Sequence, residues 1–118
     1  MKTFEFKMQG GTTIEVDKDA ITISIKGIKG RFFHRVKPRT KTIPLNEVLR
    51  LDYKGAGMTI GYLRVITKEL LPYPSSMYVA EHDPNSFIYD KDERQKFSDL
   101  MDELNRVLPT VKKDLLKM

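Results

Sequence analysis

Seven basic side chains, Lys26, Lys29, Arg31, Arg35, Lys37, Arg39 and Lys41, fall within one stretch of sixteen residues. They are joined there by His34 and the adjacent pair Phe32 and Phe33, and no acid interrupts them. The chain has 21 Lys+Arg against 16 Asp+Glu, a formal net charge of +5, so outside residues 26–41 the balance is 14 against 16. Positive charge concentrated in this way raises the local concentration of anions, whether lipid headgroups, phosphates or acidic protein surfaces. The aromatic pair adds a second element. Rings that enter the headgroup boundary and cations that contribute about 1 kcal/mol each near an anionic leaflet are together what a peripheral membrane contact needs. Two plainer readings fit the same residues: the stretch is a solvated, solubilising loop, or one or both of Phe32 and Phe33 plug the mouth of a barrel.

Other chemistry is thinly represented. His82 and Asp83 are adjacent, and neighbours in a strand point to opposite faces, so the pair is expected in a polar turn over residues 81–85 rather than in a triad or metal site. Ser75 and Ser76 lack the Gly-x-Ser-x-Gly elbow of a nucleophile. Gly55, Gly57 and Gly61 resemble a phosphate loop superficially, but a strand pattern follows them where a helix is needed. Asp90, Asp92 and Glu93 lack EF-hand spacing and suit the start of a helix. With no cysteine there is no disulfide framework and no thiolate metal site. The expectation is a protein that is not an enzyme and needs no cofactor or metal. Nucleic acid is a weaker partner than a lipid surface, since no recognition helix, stacking strand or second basic face accompanies the stretch.

The elements that must position these residues are mostly strands. Apolar and polar residues alternate at Phe4, Phe6 and Met8, at Ile14 and Val16, and at Ile21, Ile23 and Ile25, as half-buried strands require. A tight hairpin is expected at Asp17, Lys18 and Asp19, and Gly10 with Gly11 reads as either a turn or a bulge. Further strands are predicted over residues 40–45, 48–53, 59–67, 77–80 and 86–89, with a corner at Asn46 and Glu47. From Asp90 the period becomes helical: Phe97, Leu100, Met101, Leu104, Val107 and Leu108 recur at three- and four-residue intervals, and Asp90 with Glu93 has capping-box spacing. Pro109 should end this helix, leaving residues 110–118 as a short helical extension or frayed tail. The expected organisation is one domain over residues 1–118, with strands over about 3–89, a helix over about 91–108 and a short tail. No apolar run approaches the roughly 20 residues of a membrane span. Without a basic-then-apolar leader a cytoplasmic location is expected, with any membrane contact made peripherally.

Several short strands followed by one amphipathic helix give a mainly β fold: a small antiparallel barrel capped by a C-terminal helix, the pleckstrin-homology-like order. Specific segments carry a resemblance: an Ile-rich strand ending in Lys26-Gly27; Ile43-Pro44-Leu45 with Val48 and Leu51; Gly61-Tyr62-Leu63-Arg64-Val65; and residues 85–89 running into the helix. Over residues 4–108 the chain resembles the bacterial PH-like family long labelled as a domain of unknown function, often found beside a short C-terminal oligomerisation module. That resemblance implies the barrel and helix but no catalytic or binding residues. From the residues themselves the expectation is a binding or adaptor module. It would contact an anionic lipid surface or acidic protein through Lys26, Lys29, Arg31, Phe32, Phe33, Arg35, Lys37, Arg39 and Lys41. The alternative is a protein-interaction or self-assembly module, which could form a homo-oligomer.

Overall fold

The computed structural model describes residues 1–28, 37–58, 60–69 and 75–108, together with the backbone of 112–115. The first sheet is an antiparallel meander of β1 (Lys2–Phe6), β2 (Thr12–Val16), β3 (Ala20–Ile25) and β4 (Arg39–Pro44). The alternation in the sequence sets its register: Ile14 lies opposite Ile23 and Val16 opposite Ile21, all four buried, while Thr13, Glu15, Thr22 and Ser24 are only partly covered on the other face. A one-residue slip would turn every one of these isoleucines outward, so the pattern specifies one pairing. The hairpin at Asp17 to Asp19 is present, closed by Asp17 N–H donating to Ala20 C=O at 2.9 Å.

Between β1 and β2 the chain makes a 3-10 turn, Met8–Gly10. Gly10 and Gly11 therefore form a turn, with φ of 81° and 119°, and Gln9 shares the left-handed region at 58°. Gly10 is required for a second reason: a Cβ there would stand 1.9 Å from the carbonyl oxygen of Gly27.

The corner at Asn46 and Glu47 is also real. A 3-10 turn, Leu45–Glu47, held by Leu45 N–H donating to Asp19 C=O at 2.9 Å, carries the chain from the first sheet to the second. The second sheet comprises β5 (Val48–Lys54), β6 (Gly61–Thr67), β7 (Ser86–Tyr89) and β8 (Lys112–Leu115), in the order β7-β6-β5-β8. The first three strands are antiparallel, and β8 runs parallel to β5. The C-terminal segment thus contains a strand, correcting the expected helical extension or frayed tail. A parallel partner reaches β5 because the preceding helix returns the chain along the sheet, as a crossover requires.

A second correction falls on residues 77–80, expected as a strand: they belong to a short helix, α1 (Met77–His82), between β6 and β7. The Ser76 hydroxyl accepts from the Val79 N–H at 3.2 Å, an N-cap that competes successfully with strand pairing. Among the described residues the two sheets are joined by no ladder, so they do not form the closed barrel expected from the strand order.

The helix forms as read. Asp90 and Glu93 make the capping box, a 3-10 turn (Lys91–Glu93) leads in, and α2 (Arg94–Val107) follows. Phe97, Leu100, Leu104 and the adjoining Leu108 enter one core with Phe6, Ile14, Leu51, Leu63 and Phe87. The Phe97 ring stacks on Tyr89 with centroids 4.1 Å apart. Fully burying each such side chain is worth about 1.5–3 kcal/mol. The fold is therefore mainly β, two sheets with a C-terminal helix closing the space between them.

Candidate functional site

β3 and β4 carry the two ends of the basic stretch to one end of the first sheet, where Ile25 pairs with Arg39. Of the nine residues singled out in sequence, Lys29, Arg31, Phe32, Phe33 and Arg35 lie outside the described residues. Lys26 and Lys37 are exposed at the roots of the segment. Lys41 and Arg39 are half-buried, because register places them on the same face of β4 as Ile43, opposite Ile23 and Ile25. Inward-facing charges on an edge strand are a known device against edge-to-edge pairing.

Arg39 has a structural task. Its Nη1 donates to the Glu81 carbonyl at 3.2 Å, and its Nη2 to the Asp83 carbonyl at 3.2 Å and the Ser86 carbonyl at 3.4 Å. These are the last carbonyls of α1 and the entry to β7, where a cation is favoured by the helix dipole as well as by the individual bonds. Burial lowers the Arg39 pKa from its usual value, and the Asp83 charge acts in the opposite sense. The Gln9 side chain reaches the same place, donating from Nε2 to the Glu81 carbonyl at 3.0 Å. Its own carbonyl accepts from Gly27 N–H at 2.9 Å. Both roots of the basic segment are thereby tied to α1, one through Arg39 and one through Gly27 and Gln9.

Behind α1, the outer face of the second sheet holds a chain of buried charges. Arg64 on β6 donates from Nε to Asp83 Oδ2 at 2.6 Å, with both side chains almost wholly buried. Arg64 Nη1 also reaches Ser75 Oγ at 3.2 Å, and Ser75 donates to Asp52 Oδ2 at 2.6 Å. Arg50 completes the series with two bonds to Asp52, at 2.6 and 3.0 Å. Burial alone would raise the Asp52 pKa, but the bonds from Arg50 and Ser75 and the charges of Arg50 and Arg64 outweigh it and hold the carboxyl below its usual range. Asp83 Oδ1 further accepts from Asn85 N–H at 2.9 Å, so one carboxylate fixes both the base of the helix and the start of β7.

This arrangement orients the pair that looked most like a fragment of catalytic machinery. Asp83 is committed to Arg64 and Asn85, while the exposed His82 ring packs edge-on against Tyr78 at 4.7 Å. The two side chains do not converge. Among the described residues no group of three or more His, Cys, Asp or Glu is placed to hold a metal ion. No helix among them is long and apolar enough to cross a membrane.

Sequence reasoning missed the Arg39 clamp and the Arg64 to Asp83 pair. The one local signal was Ser76, whose type suits an N-cap, ahead of Met77 and Ala80 at helical spacing. The sequence matches a family model described as a domain of unknown function (DUF4429) over residues 14–105. No curated protein matches the chain.

Proposed function

We propose that this chain, which belongs to the family described as a domain of unknown function (DUF4429), is a non-enzymatic module that presents a basic segment to an anionic membrane surface. The observation that carries the reading is charge segregation. Residues 26–41 hold seven of the 21 Lys+Arg and no acid, and their described roots leave Lys26 and Lys37 exposed at one end of the first sheet. In this reading the two sheets and α2 are a PH-like scaffold of bacterial type, working in the cytoplasm at the inner face of the membrane. The scaffold supplies rigidity, and the segment supplies attraction that scales with the number of cations within a Debye length of the lipid. Arg39 belongs to the scaffold, because its guanidinium is occupied by three carbonyls.

The test is co-sedimentation with vesicles of anionic and of neutral lipid at two salt concentrations. Binding to the anionic vesicles alone, declining steeply with salt, is the expected result. Replacing Arg31, Arg35 and Lys37 with Glu should abolish it while leaving the thermal midpoint nearly unchanged, since in this reading the segment serves lipid attraction and not the packing of the scaffold. If the charge-reversed protein sediments as well as the parent, or the parent fails to sediment at low salt, the reading is wrong. A salt-insensitive self-association would then favour an assembly module.

A further inference from the structure

The edge of β5 is taken by the last strand of the same chain. The β8 backbone pairs with it in parallel register at four positions, Arg50 with Lys112, Leu51 with Lys113, Asp52 with Asp114 and Tyr53 with Leu115. β5 itself runs from Val48 to Lys54, so β8 covers the middle of a longer strand. Other sheet edges are blunted by side chains: on β1 the Glu5 carbonyl accepts from Lys96 at 2.6 Å, and on β7 the Ser86 carbonyl accepts from Arg39 at 3.4 Å. At β5 a strand closes the edge instead. Parallel pairs are slightly less stable per residue than antiparallel ones, and this one is four residues long. The core residues named above lie between Phe6 and Leu108, ahead of β8 in the chain. β8 is thus an outermost element that follows the core-closing helix, and such elements are among the first parts of a fold to open. Once open, the β5 backbone presents N–H and C=O groups to any extended segment that fits them.

We infer that the β5 edge is a strand-docking site that a second copy of this chain fills by exchanging β8. The occupant follows from what sits there. A segment identical to β8 is complementary to β5 whichever copy supplies it, and reciprocal exchange gives a closed two-fold dimer that keeps every ladder bond. The connection favours the exchange. Only residues 109–111 join Leu108, at the end of α2, to Lys112, and the first of them is Pro109. A short connection with one φ fixed by a proline ring restricts how well β8 can settle on its own β5, and restricted hinges of this kind invite swapping. The inference stands apart from the membrane reading, since it requires neither lipid nor the basic segment.

The chain has no cysteine, so introduced ones are unique. Arg50→Cys and Lys112→Cys chains, altered at register partners, are purified separately, mixed in equal amounts and oxidised. Exchange should give a disulfide-linked heterodimer, well above the dimer from either chain alone, with a yield that rises toward about 1 mM protein, the effective concentration of a short linker. Inserting Gly-Ser-Gly-Ser after Thr110 should lower that yield by about tenfold, because a longer connection relieves the hinge and restores pairing within one chain. A dimer formed through any other surface would be indifferent to the insertion. The double variant Arg50→Cys with Lys112→Cys, oxidised when dilute, should close within one chain and so verify that the two positions meet. If it closes but the mixed chains give no excess heterodimer, or if the insertion leaves the yield unchanged, the inference is overturned. Failure of the double variant to close overturns it as well, since β8 would then not lie on β5. Sedimentation of the unaltered chain covers variants that misfold: monomer and dimer should coexist at the top of the same range, and monomer alone refutes the exchange, leaving the edge to its own β8 or to a foreign peptide.

Discussion

Replacing Asp83 with Asn tests whether the buried charges behind α1 act as described. The substitution keeps the shape and removes the charge that faces Arg64 at 2.6 Å, where both side chains are almost wholly buried. Breaking a buried pair by neutralising one partner costs about 3–5 kcal/mol, because the other charge remains desolvated. Arg64 retains its bond to Ser75, and the Asp52 carboxylate lies one link further along, so the lower end of that range applies, about 3 kcal/mol. With an unfolding entropy of about 2.1 cal/mol/K per residue, a chain of this length has roughly 0.25 kcal/mol/K, and the midpoint should fall by about 12 °C. Thermal denaturation followed by circular dichroism reads this directly. The double variant Arg64→Met with Asp83→Leu, which removes both charges, should recover much of the loss. A fall of less than about 2 °C for Asp83→Asn would refute the reasoning, since it would mean that water reaches Arg64 as readily as the carboxylate does.

Three further outcomes follow from the same geometry. The depressed pKa of Asp52 means that its contribution to stability is complete above the ordinary carboxylate range and is lost as pH falls through the folded value; the midpoint difference between the parent and Asp52→Asn should therefore be largest at neutral pH and shrink on acidification, in melts across that range. Gly10→Ala forces a Cβ to within 1.9 Å of the Gly27 carbonyl at a φ of 81°, and should cost more than about 2 kcal/mol in chemical denaturation, against an expected effect near zero for Gly57→Ala, where a Cβ meets nothing within 4 Å. Arg39→Gln should cost about 2 kcal/mol by the same measurement, and Lys37→Glu almost nothing, separating the clamp from the exposed cation beside it in sequence.

The elements that were legible in the sequence are those with one wet face. In β2 and β3 every second residue is buried, so a period of two appears directly in the residue types. α2 was equally clear, because its buried Phe97, Leu100 and Leu104 repeat at helical spacing behind a capping box. β6 is less informative. Tyr62 and Arg64 are as buried on its outer face as Leu63 and Val65 are on the inner one, since α1 covers that side. α1 itself spans six residues, too few for a periodic signal, and β8 is specified by the edge of β5 rather than by its own alternation. The basic stretch was obvious as composition, but the role of Arg39 was not. Its three acceptors are main-chain carbonyls between 42 and 47 residues away in sequence, and carbonyls carry no residue type to read.

The placement of α2 also sets the timing of folding. Lys7 N–H donates to Glu93 at 3.0 Å across 86 residues, and Lys96 Nζ donates to the Glu5 carbonyl at 2.6 Å across 91, so the first strand and the last long helix are bound to one another. At synthesis rates of about 5–20 residues per second, β1 waits roughly 5–20 s before the helix that covers its Phe6 side chain is made. Throughout that interval the inner faces of both sheets lack Phe97, Leu100 and Leu104. Folding of this domain is consequently expected to be limited by closure of these long-range contacts rather than by its quick local hairpins.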